Sequence, residues 1–324
     1  MCKLPLRKAI GTLLASAILL TSSAFAFAQE WPTRPIRLVV FGPAGASTDI
    51  VARTLANEVA PLLGQPIVVV NRPGGSAASA VREMNSLPRD GHTMMLAISG
   101  LVTELPHSVK LQYNPQTDIK PIVDVARLEM ILVGNNNMQA KNVADLVKLV
   151  KAYPNKFNYA SFSPGTLSHV MGLQFNQAAG IDMTHIGYKG GTFAMSAVLV
   201  GDVQVSFDAI ANALQMVKSG KIHPYAVSGP ARSTLLPDVP TFRETGYPEL
   251  EQSMWFPLWV SPQVPKAVQE KIRAAVLKAM DKEAVRARLL AQGILPGSDA
   301  PPEQLRARLN EESAAIEKVI KSFN

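Results

Sequence analysis

The chain has 324 residues, 47% of them hydrophobic and 18% charged, with a net charge of +7 and a single cysteine. Three basic residues, Lys3, Arg7 and Lys8, fall in the first 28, so the remainder carries only +4, without a dense Lys/Arg block, and nucleic-acid binding is disfavoured. The cysteine is Cys2, so beyond that opening stretch disulfides and thiol chemistry are excluded.

Residues 1–28 read as a targeting segment: a short basic start, an apolar run from Ala9 to Leu20, then Ala26-Phe27-Ala28 with small residues at the two positions a signal peptidase inspects. Cleavage is expected between Ala28 and Gln29, giving a periplasmic protein. The run is interrupted by Gly11, Thr12 and Ser16 and falls short of the about 18 apolar residues a span needs. The roughly 296 residues that follow can bury a sizeable core and suffice for about two domains.

From there, apolar β-type runs alternate with helical patterns. Ile36–Phe41 reads as a strand, and Val51, Leu55, Val59 and Leu62 share one face of a helix. Ile67–Val70, Thr93–Ile98 and Met130–Val133 read as further strands. Val143, Leu146, Val147 and Val150 mark a helix stopped at Pro154. Strands follow at Phe157–Ala160, Thr184–Tyr188, Val203–Phe207 and Tyr225–Val227, with helices between them, one beginning near Leu167. Lys266–Met280 and Glu303–Ile320 read as long amphipathic helices. The alternation predicts an α/β architecture with largely parallel sheets. No low-complexity linker divides the chain, so two domains would be joined by crossing segments, for which Met130–Gly134 and Met254–Val260 are the candidates.

One local design occurs twice. Phe41 ends a strand that runs through Gly42-Pro43-Ala44-Gly45-Ala46-Ser47-Thr48-Asp49 into a helix. The second strand runs through Ser161-Phe162-Ser163-Pro164-Gly165-Thr166-Leu167-Ser168-His169 into another. Small residues let the backbone approach a ligand, and the helix start offers unpaired N–H groups and the positive end of its dipole, a combination suited to a carboxylate. The plainer alternative is an ordinary strand–helix turn, capped by Ser47 or Thr48 and by Ser163 or Thr166. Neither loop has the Gly-Lys-Ser/Thr ending of a phosphate loop or Gly-x-Gly-x-x-Gly spacing. Asp49 either complements the helix dipole or accepts a bond from a ligand hydroxyl or amine. The five histidines form no metal-ligand spacing, and no Gly-x-Ser-x-Gly elbow appears, so neither a metal, another cofactor nor a catalytic residue is expected. Tyr188-Lys189-Gly190-Gly191 reads as a strand end and a turn with a solvated Lys.

The order of motifs is itself informative: Trp31-Pro32-Thr33-Arg34-Pro35-Ile36, the Gly42–Asp49 loop, Leu63-Gly64-Gln65-Pro66, Val70-Asn71-Arg72-Pro73-Gly74-Gly75, Asp90-Gly91-His92-Thr93, His185-Ile186-Gly187-Tyr188-Lys189-Gly190-Gly191, and Leu236-Pro237-Asp238-Val239-Pro240-Thr241. The series resembles the Bug/TctC family, the extracytoplasmic solute-binding receptors of tripartite tricarboxylate transporters. That resemblance implies a type II periplasmic-binding-protein fold, a Venus flytrap with domain 1 from 29–129 plus 255–324, domain 2 from 130–254, and the ligand between them. It implies that the binding set comprises Phe41 to Asp49, then Ser161, Ser163, Gly165, Thr166, Leu167 and His169, with Ser76, Ser99, Tyr188 and Asp208 from neighbouring segments. It also implies a small organic acid or amino acid as ligand, membrane transporter subunits as partners and a monomer. A sensory accessory to a membrane signalling protein shares the same binding chemistry; an exported enzyme on this scaffold, with Asp49 or His169 as acid–base, lacks a nucleophile and an orienting partner. The chain departs from the family pattern at Ala44 and Ala46, at Leu173 where a Glu is common, and at Leu105-Pro106-His107.

Overall fold

The computed structural model describes residues 31–74 and 77–321; the expected leader and Ser76 lie outside them. In chain order, β1 (Ile36–Val40), α1 (Ser47–Leu63), β2 (Ile67–Asn71), α2 (Ala78–Ser86) and β3 (Thr93–Leu96) come first. A 3-10 turn at Ser99–Leu101 and the short α3 (Leu105–Ser108) lead into β4 (Lys120–Asn135). Then follow α4 (Val143–Ala152), β5 (Asn158–Ser161), α5 (Leu167–Ala179), β6 (Thr184–Gly187), α6 (Gly191–Val200), β7 (Val205–Ala209), α7 (Ile210–Lys218) and β8 (Ile222–Val227). The chain closes with β9 (Ser253–Val260), α8 (Lys266–Met280), α9 (Glu283–Leu290), β10 (Ile294–Pro296) and α10 (Pro302–Lys321).

β4 is the spine. Its first part, Lys120–Glu129, pairs antiparallel with β9, and β10 lies against Ala126–Leu128. Its second part, Met130–Gly134, pairs antiparallel with β7 on one side and β8 on the other. One sub-sheet therefore runs β2-β1-β3-β9-β4, and the other continues β4-β7-β5-β6. β1, β2 and β3 are mutually parallel, as are β5, β6 and β7, which is what strand–helix–strand crossovers produce.

β1 is fully buried at Leu38, Val39 and Val40, and helices pack on it through Val51, Leu55 and Val59. Each such side chain contributes about 1.5–3 kcal/mol on leaving water. α1 ends where Gly64 takes the left-handed conformation at φ 75°, its N–H donating to Ala60 O. On β9, Trp255 and Trp259 are fully buried; Trp259 Nε1 donates to Ala97 O at 3.2 Å, tying β9 to the end of β3.

Two sequence expectations need correction. The strand read at Met130–Val133 begins ten residues earlier, at Lys120. Lys120, Asp124, Arg127 and Glu129 break the apolar run, yet Asp124 is buried against Arg127 and Ser298. Met254–Val260 is wholly a strand of the first sub-sheet; the chain re-enters that sub-sheet at Ser253, not partway along.

Candidate ligand-binding site

The first loop leaves β1 at its carboxyl end, where α/β sheets hold ligands. Gly45 adopts φ 80°, and its N–H donates to Asp49 Oδ2 at 2.9 Å. The same oxygen accepts from Arg53 Nε at 2.9 Å, while Asp49 Oδ1 accepts from Asn71 Nδ2 at 3.0 Å. Asn71 Nδ2 also reaches Gly42 O. Asp49 is thus 3% exposed and fully engaged behind the loop. Burial alone would raise its pKa, but the bonds from Arg53, Gly45 and Asn71 outweigh it and hold the carboxylate below its usual range.

The second loop repeats the device. Gly165 has φ 77°, and its N–H donates to His169 Nδ1 at 3.1 Å, again four residues on. The acceptor role fixes Nδ1 as unprotonated. The His169 ring stacks on His185 at 3.8 Å between centroids, and His185 Nε2 bonds Ser161 Oγ at 2.7 Å. Burial lowers the pKa of both histidines, His185 to about 4 with His169 adding repulsion. Thr166 Oγ1 donates to Ser163 O, and Ser168 Oγ donates to Phe207 O. Neither α1 nor α5 has a capping side-chain bond at its N-cap residue, Ala46 and Thr166 respectively. The N-cap positions are thus Ala46 and Thr166, and the Thr166 hydroxyl is turned to Ser163 O instead of to the helix start.

The two sub-sheets bring these loops face to face with elements from the opposite side. Asn212 on α7 accepts the Ser47 N–H through Oδ1 at 2.9 Å, a bond between residues 165 apart in sequence. Asn212 Nδ2 donates to Asp208 Oδ1 at 2.6 Å, and the Ala209 N–H donates to the same oxygen at 2.7 Å. Asp208 is fully buried, Oδ2 has no partner, and desolvation pushes its pKa up to about 6. Gly74 lies 3.8 Å from the Lys189 stem, taking a Cβ built on the glycine. Gly165 packs its backbone toward Ser108, Val109 and Leu105.

Between them is a narrow, partly enclosed cavity. Phe41, Gly42, Pro43, Ala46, Ser47, Thr48, Gly74, Ile98 and Met254 line one side; Phe162, Ser163, Lys189, Gly190, Gly191 and Asn212 line the other. Among the described residues, Lys189 is the one charged side chain in the wall.

Of the residues expected from sequence, the structure gathers Phe41, Gly42, Pro43, Ala46, Ser47, Thr48 and Ser163 at this cavity. Ala44 and Gly45 lie in the loop but off the wall. Asp49, Ser161, Gly165, Thr166, Leu167, His169 and Asp208 sit behind the wall, where they shape the loops or hold Asn212. Ser99 opens the 3-10 turn, its carbonyl taken by Val102 and Thr103. Tyr188 lines a separate outer groove with Phe193 and Val200. Sequence reasoning missed Ile98, Phe162, Met254 and Asn212; Lys189, read as solvated, is exposed, with its stem running along Gly74 at the edge of the cavity. Phe162 was within the quoted loop; the others carry no local signal.

A family model described as tripartite tricarboxylate transporter family receptor matches residues 51–324. The periplasmic binding protein BugD is 30% identical, with TM-score 0.85 over 90% of this chain and 98% of its own. A Rhodopseudomonas palustris protein solved with adipate is 27% identical, with TM-score 0.86 over 91% and 98% of the two chains. MatC from the same organism, with bound malate, is 29% identical, with TM-score 0.82 over 90% and 100%. The fold is that of the periplasmic binding proteins, an α/β Venus flytrap, as the motif series implied. With its family model covering most of its length and that fold intact, the chain belongs to the tripartite tricarboxylate transporter receptor family, the Bug/TctC solute-binding proteins.

Proposed function

We propose that this chain is a periplasmic receptor that captures a small organic acid in the cleft and delivers it to the membrane subunits of a tripartite tricarboxylate-type transporter. The observation that carries the reading is the N-terminus of α1, whose N-cap residue Ala46 offers no side-chain cap and whose Ser47 N–H meets only Asn212 from the opposite side, opening onto a cavity whose other walls are mostly apolar. A carboxylate there meets backbone N–H groups and a helix dipole, while Phe41, Ile98, Phe162 and Met254 cover its carbon skeleton. The adipate and malate held by relatives support an acid as the guest.

In this reading the described residues up to 129, with those from 253 onward, form one domain and 130–252 the other, the second boundary two residues earlier than the sequence suggested, hinged where β4 leaves one sub-sheet for the other and where β9 begins. Closure about these two crossings brings Asn212 and Gly190 against the first loop. The chain is a binding protein, not an enzyme, works as a monomer and needs no cofactor. Calorimetry of the protein, unfolded and refolded to strip co-purified ligand, against a panel of mono-, di- and tricarboxylates tests this. Micromolar or tighter binding of at least one acid is the expected result; no heat with any acid removes the reading.

A further inference from the structure

The amide of Asn212 is oriented at both ends. Its Oδ1 faces Ser47 N–H, a group that only donates, and its Nδ2 faces Asp208 Oδ1, which also takes the Ala209 N–H. Reversing the amide would set N–H against N–H, so the oxygen must face the cleft. Gly191 makes room for this: a Cβ there would lie 2.8 Å from Asp208 Oδ1 and closer still to Asn212 Nδ2. Among the side chains lining the cavity, hydroxyls of Ser47, Thr48 and Ser163 can donate or accept, and Lys189 only donates. Among the described residues, Asn212 Oδ1 is the one lining side-chain oxygen that can only accept.

The Ser47 N–H belongs to the first turn of α1, where an incoming carboxylate binds. A carboxylate that takes this N–H removes the donor from Asn212 Oδ1. A plain aliphatic acid leaves that oxygen without a partner in a half-buried site, which is costly. A hydroxyl or ammonium on the carbon beside the carboxylate supplies the missing donor. We propose that Asn212, held in place by Asp208, is a specificity-determining residue that reads a hydroxyl or ammonium beside the ligand's carboxylate, so that the receptor favours 2-hydroxy and 2-amino acids over their plain counterparts. The inference rests on the carboxylate reading of the same cleft.

The test is calorimetry with matched pairs that differ by one group: malate and aspartate against succinate, 2-hydroxyglutarate and glutamate against glutarate, and lactate against propionate. For the wild-type chain, the member with the added donor should bind about tenfold or more tightly in the pair of best-fitting length. In Asn212→Ala that ratio should fall to within about threefold. Asn212→Ser, which keeps a small acceptor, should retain part of it. Equal wild-type affinities within every pair that binds overturn the inference while leaving the carboxylate reading intact, and this comparison holds whether or not the variants fold. A preference that survives in folded Asn212→Ala also overturns it. Binding of no acid in the panel overturns both.

Discussion

Pro43 and Gly190 meet across the mouth of the cleft: a Cβ on Gly190 would stand 2.6 Å from Pro43 Cγ and nearer still to Cδ. Gly190 has φ 134°, a conformation L side chains rarely adopt, and the proline ring it faces is rigid. Gly190→Ala should therefore hold the two sides apart. We expect ligand affinity to fall at least tenfold by calorimetry, with the far-UV circular dichroism spectrum retained. Unchanged affinity would show that binding does not need this approach.

Asp49 holds the first loop from behind. Asp49→Ala leaves the Gly45 N–H without its acceptor and the Asn71 amide with only Gly42 O, and should cost about 1–3 kcal/mol in urea unfolding, together with weakened ligand binding. Arg53→Ala breaks only the half-exposed pair and should cost under about 1 kcal/mol. If the two variants prove equally stable, Asp49 acts through Arg53 alone.

The stacked His169–His185 pair makes the second loop sensitive to acid. Burial lowers both pKa values in the folded chain, His185 from 6.5 to about 4. Between those pH values the unfolded chain binds more protons, so stability falls as pH drops through the window. Protonating His169 at Nδ1 also removes the acceptor for Gly165 N–H. The melting temperature of His185→Gln relative to wild type should therefore improve steadily from pH 7 to pH 4.5; a constant difference would argue against the pair as the source.

Glu104 has the opposite sign. It is buried beside Thr103, and burial, with the charge of Glu312, raises its pKa to about 7 despite the Thr103 hydrogen bond. The folded chain binds the extra proton between about 4.5 and about 7, so this group erodes stability as pH rises through that range. Glu104→Gln should melt roughly 2–4 °C above wild type at pH 8 and show little difference at pH 4.5. A variant less stable than wild type at pH 8 would contradict the buried-charge penalty.

The two loops were legible because a Gly/Pro/Ser run between an apolar strand and an amphipathic helix is a local pattern. The Gly45–Asp49 and Gly165–His169 bonds obey a fixed spacing of four, so the residues were visible but their direction was not: both side chains turn back to their own loop, not toward a guest. Asn212 was invisible because a lone amide on an amphipathic helix looks solvated until the fold sets α7 against the start of α1. Lys189 is exposed, as a turn lysine is expected to be, and only the tertiary fold lays its stem along Gly74. The first part of β4 escaped because buried Asp124 interrupts the hydrophobic pattern, and its partners Arg127 and Ser298 lie partly 174 residues away.

β9 lies between β3 and β4 and joins them, for those two strands do not pair with each other. As the chain emerges from N- to C-terminus, β1 to β3 are complete within about a third of its length, but their sub-sheet stays open at the β3 edge until Ser253–Val260 arrives. The strands from β4 to β8 form a contiguous stretch with no such wait. The intervening half can therefore settle first and the flanking half last, which makes the late-arriving Trp255 and Trp259 the closing stitch of vectorial folding and leaves the β3 edge the segment most in need of protection from aggregation until then.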